Sequence, residues 1–265
     1  RRSHTGQSIR SGCILRWMMR NLLFRCTFDG RNYHGYQVQQ NALTVTEVLQ
    51  NGIEKLTGVR DGIIGCSRTD AGVHAEEYFF NMHTECTIPA ERFARALNRV
   101  LPNDIAITDC REVAADFHAR YHAVGKQYVY RLYCSEIRNP FYDGLVYHYH
   151  RPVDVSLLDD AAKHFLGTHD FAGFSNTGTD VADTVRTLTR FDVVRQNDMV
   201  LFTVCGDGFL YNMVRILVGT LLKINEGRLA VDQLDGVIAS RQRSLAGKTV
   251  SPCGLYLNRV FYDRW

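Results

Sequence analysis

The chain is short of several things, and each shortage removes a class of function. It has no run of eighteen apolar residues, so no membrane-spanning helix is expected. Its eight cysteines stand at positions 13, 26, 66, 86, 110, 134, 205 and 253, and no two lie closer than 13 positions. That spacing excludes Cys-x-x-Cys redox pairs and zinc knuckles. Scattered over 265 residues, the cysteines read as reduced thiols of a cytoplasmic protein rather than a disulfide framework. A Walker phosphate loop is missing, as is a Gly-x-Gly-x-x-Gly following a strand. Low-complexity linkers are absent too.

What remains suits a folded chain of two domains. Hydrophobic residues make up 45% of the composition, enough for a sizeable core. The net charge of +3 is small, but it is unevenly placed. Arginines 1, 2, 10, 16, 20, 25 and 31 face a single acid, Asp29, in the first 31 residues. The rest of the chain is slightly acidic and must use local clusters to hold phosphate. Residues 1–17 show no periodicity, and Met18-Met19 offers a start, so residues 1–18 read as a disordered extension. The apolar Cys13-Ile14-Leu15 is too short for a secretory signal core.

From Asn21 the pattern is regular. Leu22–Phe28 reads as a strand. Val45, Val48, Leu49, Ile53 and Leu56 form a helical stripe that ends at Gly58. Ile63-Ile64 and Glu77–His83 are strands, Pro89 opens a helix through Val100, and Asp104–Glu112 is a strand. Strand, helix, two strands, helix, strand is a ferredoxin-like unit. A second such order follows: a strand at Lys126–Cys134, a helix capped by Asp154, strands at 184–195 and 199–205, a long helix over Phe209–Ile224, a short helix over 231–240 and a strand at 255–262. The expected fold is α+β. Two ferredoxin-like, RRM-like halves (19–120 and 121–265) with antiparallel sheets meet at a central cleft, with the join near 115–125.

Two loops and a helix carry polar groups of interest. Residues 31–41 hold Tyr33, Tyr36, His34 and three glutamines, which could stack on bases or simply be solvated with a tyrosine tucked inward. Arg92, Arg95 and Arg99 lie on one side of the second helix, a spacing more common for a solvated face than for an RNA track. Arg241, Arg243 and Lys248 form a basic cluster with no acid among them.

The most informative stretch runs from Gly65 to Ala75. Two glycines, Gly65 and Gly72, bracket Arg68, Thr69 and Asp70 in a sharp turn. Asp70 is the only acid between Asp61 and Glu76. Locally it fits two roles, a turn aspartate bonding its own backbone or a reactive carboxylate beside a cation. Arg215 stands among Met213, Val214, Ile216, Leu217 and Val218, so it needs a rim position or an acidic partner. Tyr128 sits on a strand of alternating aromatics, where core packing is the ordinary role.

Arg68-Thr69-Asp70-Ala71-Gly72-Val73-His74-Ala75 resembles the signature of the tRNA pseudouridine synthase A (TruA) family. Tyr33–Gln37, Asp116–Arg120, Lys126–Tyr130 and Phe209–Arg215 resemble the same family in the same order, covering roughly residues 20 to 263. Ser67 departs from the glycine many members carry there. The resemblance implies that Asp70 is catalytic, that Arg215 pairs with it and keeps it ionised, and that Tyr128 stacks on the target base. Arg68, two residues from Asp70, would hold phosphate or fill the space the flipped base vacates. It implies isomerisation of uridine in the tRNA anticodon arm, at nucleotide positions 38–40, by a homodimer. Atoms are conserved in that reaction, so no cofactor and no metal are expected. Two other classes compete. One is a non-catalytic RNA-binding protein on the same fold. The other is a zinc deaminase, for which His74-Ala75-Glu76 and Pro252-Cys253 have part of the spacing, but Leu255-Tyr256 falls where the last cysteine belongs.

Overall fold

The computed structural model describes residues 19–176 and 183–263; the expected N-terminal extension lies outside them. The elements follow in chain order. They are β1 (Arg20–Phe28), α1 (Val45–Thr57), β2 (Ile63–Gly65), β3 (His74–Thr84), α2 (Ala90–Asn98), β4 (Ile105–Val113), β5 (Ala123–Cys134), β6 (Tyr147–Tyr149), α3 (Val155–Ala162), β7 (Gly167–Asp170), β8 (Val185–Gln196), β9 (Met199–Gly206), α4 (Met213–Asn225), α5 (Leu234–Ser240) and β10 (Leu255–Tyr262).

Local chemistry explains the boundaries. The Thr44 hydroxyl accepts from the Glu47 amide at 3.3 Å and starts α1, and Gly58 ends it in a left-handed conformation. The Asp154 carboxylate does the same for α3, at 3.0 Å from the Leu157 amide. The apolar run ending at Ile224 is helical only from Met213, four residues later than its hydrophobicity predicts. Asn212 adopts φ 61, which interrupts the helix and leaves Phe209–Tyr211 as a loop.

The strands make one mostly antiparallel sheet in the order β4-β1-β3-β10-β5-β9-β8-β7. β2 adds to β3, and β6 to β5. The order β4-β1-β3-β2 and the order β10-β5-β9-β8 are the same ferredoxin-like arrangement twice, so the α+β expectation and the repeat both hold. The two copies join edge to edge. β2 pairs with β3 around Phe80–Met82, while β10 pairs in parallel with its other end, at His74 and Ala75. Leu257 of β10 lies opposite Ala75 on one side and Tyr128 of β5 on the other. One strand therefore fixes where the Asp70 loop returns to the sheet relative to Tyr128.

The helices cover the apolar face. Phe24 stacks on Phe80 at 4.8 Å and meets Phe93 of α2 edge-on, while Ile216, Leu217 and Leu221 of α4 are fully buried. The 114–122 join crosses the opposite face. Asn21 donates to the Ala114 and Phe117 carbonyls, Ala119 donates to Asn81, and Tyr262 donates to the Ala119 carbonyl. This strap delivers Arg120 and Tyr121 to the site.

Candidate active site

The 66–73 loop is held from below by the 30–36 loop. The Tyr36 amide donates to the Thr69 carbonyl at 3.3 Å, and the Gly72 amide to the Tyr33 carbonyl at 3.1 Å. Tyr33 and Tyr36 are both buried, with the Tyr33 hydroxyl on Asp104 at 2.6 Å and the Tyr36 ring stacked on Tyr78. They are props rather than a base-stacking surface, so of the two roles open to residues 31–41 it is the solvated loop with tyrosines tucked inward that the structure shows. The two bracketing glycines act differently from each other. Gly72 takes a positive φ of 77, as a sharp turn requires. Gly65 is needed for space, because a Cβ there would come within 2.3 Å of Tyr36 and of the Tyr78 hydroxyl.

Asp70 emerges from this loop into a cavity of about 190 Å³ between the two sheet copies. Its walls include Ser67, Arg68, Arg120, Lys126, Tyr128, Arg186 and the 209–214 segment. Asp70 is the only carboxylate among the described lining residues. Arg215 reaches it from the first turn of α4, Nη1 to Oδ2 at 3.3 Å. The same guanidinium donates through Nε to the Val250 carbonyl at 2.7 Å and through Nη1 to Asn212 Oδ1. The left-handed Asn212 thus both ends the apolar loop and aims Arg215. Predicted from sequence as partners, Asp70 and Arg215 are brought together.

The electrostatics differ from the expected direction. Burial raises the Asp70 pKa above its ordinary value, and the Arg215 charge and hydrogen bond offset only part of that rise. Arg215 limits the desolvation cost rather than depressing the pKa outright.

Tyr128 is 6% exposed, meets Phe209 edge-on at 5.0 Å, and lines the cavity. Its hydroxyl lies 3.3 Å from the Ser67 hydroxyl. The serine that departs from the family's usual glycine therefore ties the signature loop to this ring. Burial pushes the Tyr128 phenol well above its normal range, so it is neutral. Arg68 is exposed and has no hydrogen-bond or ion-pair partner among the described residues. It stands, with Arg120 and Ser67, on the wall shared with a neighbouring groove of about 460 Å³. That groove is also lined by His118 and by Tyr121, which is 77% exposed and stacked on His118 at 4.2 Å. Sequence reading missed Lys126, Arg186 and Tyr121 as cavity or groove residues. A pattern of alternating side chains gives no sign of which cations converge from different strands.

Other sequence candidates fall elsewhere. Arg241 pairs with Asp170 at 2.9 Å, Arg243 is taken up by Asn176, the Gly247 carbonyl and Thr249, and Lys248 donates to the Tyr147 hydroxyl at 3.4 Å, so all three cations of that cluster have internal partners. Arg92 and Arg95 of α2 and Arg99 just past its end are exposed. His74 cannot ligate zinc. Its Nδ1 accepts from the Gly30 amide at 3.1 Å and its Nε2 faces the Gly144 carbonyl at 3.1 Å. Asp29 also approaches Nδ1, but burial outweighs that charge and lowers the His74 pKa, leaving a neutral, fully bonded ring.

The chain falls in the class of the pseudouridine synthases. The sequence profile of the tRNA pseudouridine synthase family matches residues 26–122 and 161–263. The tRNA pseudouridine synthase A of Acetivibrio thermocellus is 45% identical over 244 residues, spanning 92% of this chain and all of that protein. The enzyme of the same name from Ruminiclostridium cellulolyticum is 42% identical over 245 residues, with 92% and 100% covered. The chain belongs to the tRNA pseudouridine synthase A (TruA) family, whose members are isomerases.

Proposed function

We propose that this protein converts uridine to pseudouridine in the anticodon arm of tRNA, at nucleotide positions 38–40, as a cytoplasmic homodimer with no cofactor. The observation that carries the reading is the lone carboxylate of the cavity, Asp70, ion-paired to Arg215. Pseudouridine formation breaks the C1′–N1 bond, joins C1′ to C5, releases the C5 proton and places a proton on N1, so the product is an isomer of the substrate. Water must be kept from C1′ throughout, or the base is lost. Glycoside hydrolysis uses two carboxylates because water is a reactant. Here one suffices, and Phe209, Leu210, Met213, Val214 and Leu255 supply an apolar wall.

Asp70 acts in its ionised form, as nucleophile on the sugar or base or as base toward a ribose proton. Arg215 holds that carboxylate in place. Tyr128 packs against the uracil, and Arg68 holds the phosphate or the space the flipped base leaves. Extruding the base costs a few kcal/mol, which cationic contacts with the backbone offset. Reaching three adjacent nucleotides with one site calls for recognition of shape.

The test is tritium release from tRNA labelled at uridine C5, with a gel shift alongside. The wild-type protein should release tritium, and mapping should place the product at positions 38–40. Asp70→Asn should bind and release none. Equal release by Asp70→Asn would remove Asp70 from the mechanism. Binding without release by the wild-type protein would favour a non-catalytic RNA-binding protein.

A further inference from the structure

Lys126 carries a charge that no acid among the described residues balances. It lies on β5 two residues before Tyr128, so both side chains leave the same face of the strand, about 7 Å apart. It is largely buried in the cavity wall, and its ammonium has no hydrogen-bond or ion-pair partner among the described residues. Three further cations, Arg68, Arg120 and Arg186, line the same cavity, and the last two lie close enough to Lys126 to repel its charge. Arg120 has no side-chain partner among the described residues, and Arg186 donates only to the Asp183 and Val185 carbonyls. The one carboxylate of the cavity, Asp70, is engaged by Arg215. Burial, with the Arg120 and Arg186 charges adding to it, lowers the Lys126 pKa. Left without an anion, the buried Lys126 charge is costly, and the exposed Arg120 and half-buried Arg186 beside it add repulsion that an anionic ligand would relieve.

We propose that Lys126, with Arg120 and Arg186, seats a backbone phosphate of the nucleotide that enters the Asp70 cavity. This rests on the RNA-isomerase reading. Asp70, Tyr128 and these cations line one cavity of about 190 Å³, so a nucleotide with its uracil against Tyr128 and its C1′ toward Asp70 would bring a backbone phosphate within their reach. The phosphate supplies the negative charge that balances these cations. The seat reads no base identity, and it positions the sugar against Asp70.

The experiment uses tRNA ligated from synthetic pieces, each carrying one neutral methylphosphonate at or beside the target uridine, against wild-type and Lys126→Met protein. One methylphosphonate position should weaken wild-type binding about ten- to hundredfold, the loss expected for a charged hydrogen bond. Lys126→Met should show a similar loss with unmodified tRNA and no further loss at that position, and its log K against log salt slope should be shallower by about one contact. Losses that multiply at every position would overturn the seat. If Lys126→Met fails to fold, Arg186→Gln carries the same comparison. C5-tritium release by the wild-type protein on the same RNAs separates the two readings. Release with multiplying losses removes only the phosphate seat, whereas no release removes the isomerase itself.

Discussion

The pH behaviour of the site turns on two residues. Asp70 is raised above the ordinary carboxylate value by burial, against the pull of Arg215. A carboxylate that must be ionised to react gives a rate that is full above its folded pKa and falls as pH drops through it. The acid limb of single-turnover rate is therefore expected above the usual aspartate value of about 3.9. Arg215→Met removes the opposing charge, so the limb should move to higher pH and turnover should fall much more than tRNA affinity. Arg215→Lys keeps a charge but has no planar fork to serve Asp70, Asn212 and the Val250 carbonyl together, so part of the rate should survive. A limb that stays in place in Arg215→Met would break the link between the pair and the chemistry. The same raised pKa means that folding favours the protonated form. That stabilising contribution is complete below the unfolded pKa and is lost as pH rises through the folded one. Asp70→Asn should thus melt no lower than the wild-type protein near neutrality, with any gain shrinking toward acid pH in a thermal scan.

Among the elements, the 66–73 loop depends on packing from its neighbours. Its shape is set by β2 entering, β3 leaving, and the buried Tyr36 and Tyr78 rings that occupy the space Gly65 leaves open. Gly65→Ala puts a methyl group 2.3 Å from the Tyr36 ring and from the Tyr78 hydroxyl, so something must shift. Overpacking of this kind costs about 1–3 kcal/mol. The variant is expected to unfold at lower urea and to lose turnover, because a displacement of about 1 Å at a reacting group can cost roughly a hundredfold in rate. Unchanged stability would mean that the tyrosines yield freely and do not set the loop. The 209–212 segment makes the parallel point. By hydrophobicity it continues α4, yet as a loop it places Phe209 on Tyr128 and lets Asn212 hold Arg215.

For the molecule as a whole, partner binding follows from where charge is left unspent. Arg241 and Arg243 have internal partners, while Arg68, Arg120 and Lys126 face the cavity without acids. Affinity for tRNA should fall about a thousandfold or more between 50 and 200 mM salt if six to ten phosphates are contacted. Arg241→Gln should leave that slope nearly unchanged, and Arg120→Gln should reduce it. A flat salt response would count against RNA as the partner. Sedimentation should give twice the mass of the chain if two copies share one tRNA.

The sequence alone determined a great deal here. Periodicity and capping residues located most of the strands and helices, because Thr44, Gly58 and Asp154 act through bonds made within their own few residues. The α+β repeat was legible for the same reason, and Asp70 stood out in its turn. The tertiary structure decided what local pattern cannot express. It merged the two copies into one sheet through β10, since two residues of parallel pairing leave no periodic trace. It turned Tyr33 and Tyr36 inward, matched Arg241 with Asp170, and gathered Lys126, Arg120 and Arg186 from separate segments around one carboxylate. It also decided that burial outweighs Arg215 in setting the Asp70 pKa, because desolvation depends on everything that surrounds a group and not on its neighbours in the chain.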